Sequence, residues 1–471
     1  DDDLEEIKDY HNYYTYDNLG RLIKKNVPNT SSTIFRTHSQ KQNFEYLQLD
    51  GTNLSVPQKT AYNLYDSTSS SSSTTVYETN YEEFYTYDNR GRLSSVNNLC
   101  TLVRTAAGGP TTKKETLIDV SQTKKYKYDN LNRLSYEENT KFDTRSYEYG
   151  ANGKLSKEII NGSERTYTYN EYDQLTEYAG IKYTYDGMGN RASKDNSLIK
   201  SDYSYTRGNL LNKIIFSINK GMPLIGGVTG EARYLYNCDG VRYQKVVGDV
   251  TTTYYLDGAK ILGEDRSDGT ELRYFYDIDG LCGIRYNGNN YVIVRNAYGD
   301  IVMIMHDEKP IVRYYYNAWG SCVVEQYEDT DDIGNINPFR WKGHYFDTES
   351  GLYYANGSYY DPEVGLHVDA MPISSAIENA QNVFGLDLNG IMCDNILAYL
   401  PCVYSIFATL ELSPDPTYDP NANKSGWELF WKGVAEWFNG LSNEQKIGWG
   451  IVALFAACLV AAATSFATGG T

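Results

Sequence analysis

With 471 residues the chain has room for two to four ordinary domains. Its formal net charge of −18 argues against a nucleic-acid backbone as partner, which needs a basic surface. Seven cysteines without a CxxC pair and five scattered histidines argue against a zinc site or a disulfide framework, leaving Cys393 and Cys402 as one conceivable pair. The 46 tyrosines, against 14 Phe and 6 Trp, with 40 Gly and only 12 Pro, read as an all-β chain.

The first clear element is Tyr14-Thr15-Tyr16-Asp17-Asn18-Leu19-Gly20-Arg21-Leu22. Tyr-x-Tyr sets two rings on one face of a strand, because side chains alternate with period two. Asp-Asn-x-Gly is a turn in which the Asp side chain can take backbone N–H groups and the glycine supplies a positive φ. Arg-Leu opens the return strand. The unit is therefore a β-hairpin with an aromatic face.

The next strand pair is placed around Phe44–Leu49, and the Ser67–Thr75 run reads as an exposed low-complexity loop. Copies of the unit follow at Tyr85–Leu93, at Tyr126–Leu134 with Asn132 in the glycine position, and at Tyr147–Leu155. More begin at Tyr167, Tyr183, Tyr203, Tyr234, Tyr254, Tyr274 and Tyr314. A spacing of about 20 residues fits one hairpin per repeat. A hairpin alone is marginal in water, so the repeats are expected to stack into one continuous sheet that twists and curls. Most rings should pack on neighbouring repeats; the other use of such faces is as platforms for sugars.

A second string begins at Asn337-Pro338-Phe339-Arg340-Trp341-Lys342-Gly343, continues through Asp347 to Gly351-Leu352-Tyr353-Tyr354, and ends with Tyr360-Asp361-Pro362-Glu363-Val364-Gly365. Asp347 with Asp361, or Asp361 with Asp369, would form an acidic dyad if the fold joins them. Alternatively Asp347 and Asp361 cap the turns before Gly351 and Gly365. Arg340 is expected to form an ion pair with one of these carboxylates. No nucleophile elbow, Walker loop, dinucleotide fingerprint or HExxH string occurs, so no metal and no cofactor is expected.

The last hundred residues change character. Ser425 is placed to cap an amphipathic helix through Trp427, Phe430, Trp431, Val434, Trp437 and Phe438. Ile447–Thr468 is 22 residues long and uncharged, enough for a bilayer contact or span, or for a buried helix. The chain opens on Asp1 without a Met and closes at Thr471 just after this apolar run, so a fragment of a longer polypeptide is expected.

The Tyr-x-Tyr-Asp-x-x-Gly-Arg-Leu units resemble the YD repeats of RHS proteins. The string from Pro338 to Gly365 resembles the RHS-repeat-associated core: Pro338, Phe339, Arg340 and Gly343, then Asp347, Gly351, Leu352, Tyr353 and Tyr354, then Tyr360, Asp361, Pro362 and Gly365. The likeness spans roughly residues 10–370. Relatives include bacterial polymorphic toxins, insecticidal toxin-complex components and teneurin adhesion receptors. The resemblance implies a hollow β-shell of YD hairpins over 1–336, a core or plug over 337–370, an irregular and helical linker over 371–424 and a helical tail over 425–471.

It further implies an encapsulating, delivery role for a secreted or cell-surface bacterial toxin, not an enzyme. The partners would be the chain's own C-terminal toxin domain and an immunity protein. The other reading is an adhesion or carbohydrate-binding protein with cell-surface glycans as partners. Self-cleaving relatives use aspartates near the core, which here fall on Asp361 and Asp369. This sequence departs from them, with Leu366-His367 in place of Arg-Phe and no Asp-Pro-x-Gly-Leu following.

Overall fold

The computed structural model describes residues 13–17, 21–27, 36–48, 55–69, 73–108, 111–151, 153–218, 230–278, 280–307, 309–327, 331–355 and 357–369. The expected linker, the amphipathic helix, the 447–468 segment, and Cys393, Cys402 and Cys458 lie outside them. Among the described residues no helix is long and apolar enough to cross a membrane. Cys100, Cys238, Cys282 and Cys322 are free thiols.

Twenty-six strands run from β1 (Tyr13–Tyr16) to β26 (Cys322–Gln326) as one antiparallel sheet in which each pairs with the next along the chain. Helix α1 (Ile333–Ile336) leads to a second, four-stranded sheet: β27 (Tyr345–Asp347), β28 (Leu352–Ala355), β29 (Ser358–Asp361) and β30 (Leu366–His367). The first sheet is the wall of a shell; the second, called the plug below, packs against it through Tyr254, Tyr274, Tyr345 and Tyr359.

Each repeat is built by the same few bonds. In the hairpin joining β5 (Ser73–Tyr87) to β6 (Leu93–Gly108), Asp88 Oδ1 accepts the backbone N–H groups of Arg90 and Arg92, both at 2.9 Å. Gly91 turns at φ 76°, and Asn132 serves the same corner at φ 65°. Asp88 Oδ2 takes the Arg92 Nε at 2.6 Å, and Asp129 takes Arg133 likewise at 2.7 Å.

Where the charges change, the complement persists. Asn170 donates to Gln174, Asn190 donates to Asp186, and Asn296 donates to Asp300, at 2.8, 2.8 and 3.0 Å. In these turns a donor faces an acceptor whether or not the pair is ionic; the turn at Asn237, with Val241 four residues on, keeps only the backbone N–H bonds to Asn237 Oδ1.

The two tyrosines of the unit have separate tasks. The first is buried in nearly every copy, as at Tyr85, Tyr126, Tyr147, Tyr183 and Tyr274. The second donates its hydroxyl to the carbonyl that opens the return strand of the preceding repeat. Tyr128 bonds Leu93, Tyr149 bonds Leu134, Tyr236 bonds Leu211 and Tyr316 bonds Ile301, at 2.6–2.9 Å. Arg92 and Arg133 lie over the rings of Tyr128 and Tyr149, so each turn also supports the next tyrosine.

At the second tyrosine the register slips by one residue, as between Thr86 and Tyr87, Lys127 and Tyr128, and Thr184 and Tyr185. Such bulges bend a strand and raise its twist, so their recurrence along the wall curls the sheet; the Tyr314–Tyr316 copy pairs without one. Early strands consequently face late ones. Tyr62, Leu64, Tyr81 and Cys100 pack against Val294, Val302, Met303 and Met305. The Tyr85 ring meets Tyr298 edge-on at 5.3 Å, and Asn139 Nδ2 donates to the Tyr316 carbonyl at 3.0 Å.

One expectation fails. Where it is described, at Ser67–Ser69 and Ser73–Thr75, the Ser/Thr run is strand and not loop. Its two arms belong to β4 (Ser55–Ser69) and β5, which pair through Ser67↔Val76 and Ser69↔Thr74, and Ser67 is buried. Serine and threonine at alternating strand positions satisfy one another across the ladder, as Ser69 and Thr74 do at 3.0 Å.

The hydroxyl stitch is testable. Tyr149→Phe removes one bond and leaves the ring in place, so stability should fall by about 1 kcal/mol in urea denaturation. Tyr147→Ala, which empties a buried site, should cost about 3–5 kcal/mol.

Candidate functional site

The wall closes on the plug through two assemblies of the same composition. On β18 (Arg242–Val247), Arg242 and Lys245 reach Asp347: Arg242 Nη1 donates to Oδ2 at 2.5 Å and Lys245 Nζ to Oδ1 at 3.0 Å. Lys245 also holds Glu349 at 3.1 Å. On β14 (Arg191–Asp195), Arg191 donates to Asp361 at 2.6 Å, and Lys194 reaches Asp361 at 3.3 Å and Glu363 at 2.6 Å. Both are an Arg-x-x-Lys of the wall clasping an Asp-x-Glu of the plug. Each balances two positive charges with two negative ones.

The spacing has a strand origin. Arg at i and Lys at i+3 would face opposite sides of a regular strand, but the register slips by one residue just after the Arg, at Tyr243 in β18 and at Ala192 in β14, and this bulge brings both cations toward the shared carboxylate. Burial works against charge on Asp347, and the Arg242 guanidinium and Lys245 ammonium overcome it, holding the carboxyl below the usual range. Burial likewise opposes the charge of Asp361, and Lys194 and Arg191 hold it low. Rings of Tyr234, Tyr254, Tyr345, Tyr354 and Tyr359 surround Arg242 at 4.3–5.9 Å. These rings give a buried cation favourable faces on all sides.

The other residues of the core string seat the plug. Phe339 stands edge-on to Tyr274 at 4.9 Å, and the Pro338 carbonyl accepts Phe346 N–H at 2.7 Å. Tyr353 and Tyr360 donate to the carbonyls of Gly320 and Trp319, both at 2.9 Å. The Tyr354 hydroxyl accepts the Arg242 N–H at 3.1 Å. Leu352 is buried, and the Pro362 carbonyl accepts the Ser321 hydroxyl.

Glycines at 343 and 351 turn at φ 69° and 72°, the latter bonding Asp347 O. Gly365 is obligatory: a Cβ there would lie 2.7 Å from the Trp319 ring, at φ 69°. Gly320 is crossed in the same way by Trp341.

Asp347 and Asp361 are thus bound to separate cation pairs on separate wall strands. The turn-capping role also holds for Asp361, whose Oδ1 accepts the Glu363 N–H at 3.0 Å. Asp369 accepts the Tyr359 N–H at 2.7 Å and the Ser358 hydroxyl at 3.1 Å. Burial pushes its carboxyl up to about 6.

Arg340 does not form the expected ion pair. Its guanidinium lies over the Phe346 ring at 4.6 Å, and the carboxylates are already taken by wall cations. Ser358 also contacts His367 Nδ1 at 2.7 Å. The serine hydroxyl sits between histidine and aspartate. The wall cations Arg191, Lys194, Arg242 and Lys245 were missed in the sequence reading. The Arg-x-x-Lys strings at Arg191–Lys194 and Arg242–Lys245, with Asp-x-Glu at Asp347–Glu349 and Asp361–Glu363, were the available signal.

Buried first tyrosines leave no open ring face for a sugar at those positions. The clamps, the plug and the repeating wall define a YD-shell. The Teneurin YD-shell family profile matches residues 101–388, and the chain belongs to that family.

Among curated proteins it is 30% identical over 234 residues to the tRNA3(Ser)-specific nuclease WapA of Bacillus spizizenii, covering 48% of this chain and 9% of that one. It is 29% identical to the tRNA nuclease WapA of Bacillus subtilis, with the same coverage. The chain therefore spans about a tenth of the length of these relatives. Among solved structures, the Photorhabdus luminescens Tc holotoxin pore aligns over 79% of this chain and 26% of its own, at 13% identity and TM-score 0.26. A TcdB2–TccC3–Cdc42 complex aligns over 86% and 28%, at 13% identity and TM-score 0.29.

Two predictions follow from the clamp chemistry. Asp347→Asn leaves Arg242 buried without its counter-charge, and should cost about 3–5 kcal/mol by chemical denaturation. Because the folded carboxyls of Asp347 and Asp361 lie below the ordinary value of 3.8, their contribution is present above that pH and is lost as pH falls through the folded values.

Asp369 has the opposite sign. Its folded carboxyl, at about 6, favours the fold below 3.8, and that advantage is lost as pH rises to 6. Asp369→Asn should therefore be more stable than the parent at pH 8 by about 3 kcal/mol and equal to it below pH 4, read from paired thermal melts.

Proposed function

We propose that this chain is the enclosing wall and plug of a secreted bacterial toxin, a scaffold that holds an effector segment lying beyond the plug in the natural polypeptide. The observation that carries this reading is the pair of buried clamps fixing the plug into the curl of the wall. A container needs an element that crosses its wall and stays there. Two charge-balanced, fully buried ion pairs meet that need better than a greasy contact would, because they specify one seat.

The similarity to WapA nucleases over the wall supports the toxin setting. The nuclease chemistry in their names is assigned to those proteins. In this reading the wall and plug are not enzymatic, and the effector and an immunity protein are the partners. Self-processing has no place in it, because Asp361 is engaged by Arg191 and Lys194.

Limited proteolysis of the full natural polypeptide, read by mass spectrometry, tests the reading. Peptides from beyond residue 369 should survive in the native protein and be cut rapidly in an Asp347→Asn/Asp361→Asn variant. Digestion of that segment in the native protein as fast as in urea would sink the container reading.

A further inference from the structure

Where wall meets plug, a cleft of about 320 Å³ is lined by Arg145, Arg165 and Tyr178 of the wall and by Arg340 and Glu363 of the plug side. Three guanidinium groups in one cleft are unexpected in a chain with a net charge of −18.

Their partners do not account for them. Arg145 is balanced by Glu158 at 2.7 Å, and Tyr178 donates to the same carboxylate at 2.5 Å. Glu363 is balanced by Lys194. Arg165 is exposed, donates to the Tyr178 hydroxyl at 3.4 Å, and stands opposite Glu158, whose carboxylate is already engaged by Arg145. Arg340 is 6% exposed and stacks on Phe346, and its Nε is buried with no hydrogen-bond acceptor; the Nε of Arg145 is in the same state. Three guanidinium groups thus share the one carboxylate of Glu158, and the buried N–H donors of Arg340 and Arg145 are costly unless an acceptor meets them.

We propose that this cleft is an oxyanion site, taking a phosphate or carboxylate group between Arg340 of the plug and Arg165 of the wall. Guanidinium groups suit such ligands because their fork of donors matches two oxygens at once. The cleft volume admits a small molecule bearing that group. The same chemistry could be supplied by a carboxylate of this chain beyond residue 369. Either way the anion bridges wall and plug, so its binding strengthens closure by linkage. The inference rests on the cleft alone and stands or falls independently of the container reading.

The test is calorimetric titration of the full chain with inorganic phosphate at constant ionic strength, with thermal melts alongside. A free-ligand site gives saturable one-to-one binding that raises the melting temperature. Arg340→Gln and Arg165→Gln each weaken it at least tenfold, and Arg340→Lys restores part of it. If the chain fills its own site, phosphate has no effect and Arg340→Gln lowers the melting temperature. The proposal is overturned if phosphate binds equally to parent and variants. It is equally overturned if phosphate does not bind and Arg340→Gln melts at or above the parent temperature.

Discussion

Everything about the position of the plug depends on neutralising charge in a dry place. Asp347 and Arg242 are both completely buried, and Asp361 and Arg191 nearly so. An isolated ion costs several kcal/mol to bury, so neither half of a clamp is tolerable without the other. That makes the clamps selective as well as cohesive. A plug seated one strand over would place an aspartate among tyrosine rings with no cation, and would strand two arginines. Apolar packing along Tyr254, Tyr274, Phe339 and Tyr345 supplies cohesion, but it tolerates small slips. The ion pairs do not.

The same principle recurs wherever the curled sheet meets itself. Arg313 is fully buried and donates to Asn98, and Asn98 in turn donates to the buried Glu83, which also takes the Tyr85 hydroxyl. The asparagine relays charge between an early strand and a late one. Burial pushes the Glu137 carboxyl up, and it accepts the Ala318 N–H at 2.9 Å, across 181 residues of chain. The inner face is therefore a set of long-range polar complements embedded among aromatic rings. Each complement is satisfied only when the curl has its native pitch.

How much of this could be read from the chain alone divides along sequence distance. The hairpin, its turn residues and the burial of the first tyrosine follow from spacings of two to eight residues, and Tyr85-Thr86-Tyr87-Asp88 carries them openly. The second tyrosine was legible as an aromatic residue but not as a hydrogen-bond donor, because its acceptor, such as Leu134 O for Tyr149, lies in the preceding repeat. Arg340 was misassigned for a related reason. It sits beside both aspartates in sequence, whereas their true partners lie 105 and 170 residues away on the wall. The Ser/Thr run misled in the opposite way, since low complexity suggests a loop, but Ser67–Ser69 pair with Thr74–Val76 as a ladder.

The turn pairs explain how a repeat can drift in sequence and keep its shape. Asp88 with Arg92, Asn170 with Gln174 and Asn296 with Asp300 differ in charge, yet each puts one donor against one acceptor four residues on. The first two of these contacts are only partly buried, where an ion pair contributes little more than a neutral hydrogen bond, and the third, Asn296 with Asp300, is buried. Charge is therefore free to vary at the turns. It is not free to vary in the clamps, where the same exchange of Asp for Asn would leave a guanidinium buried and alone. The wall can thus tolerate change at its turns while the plug's seat cannot, because a turn pair keeps a donor against an acceptor with or without charge, and a clamp guanidinium needs its carboxylate.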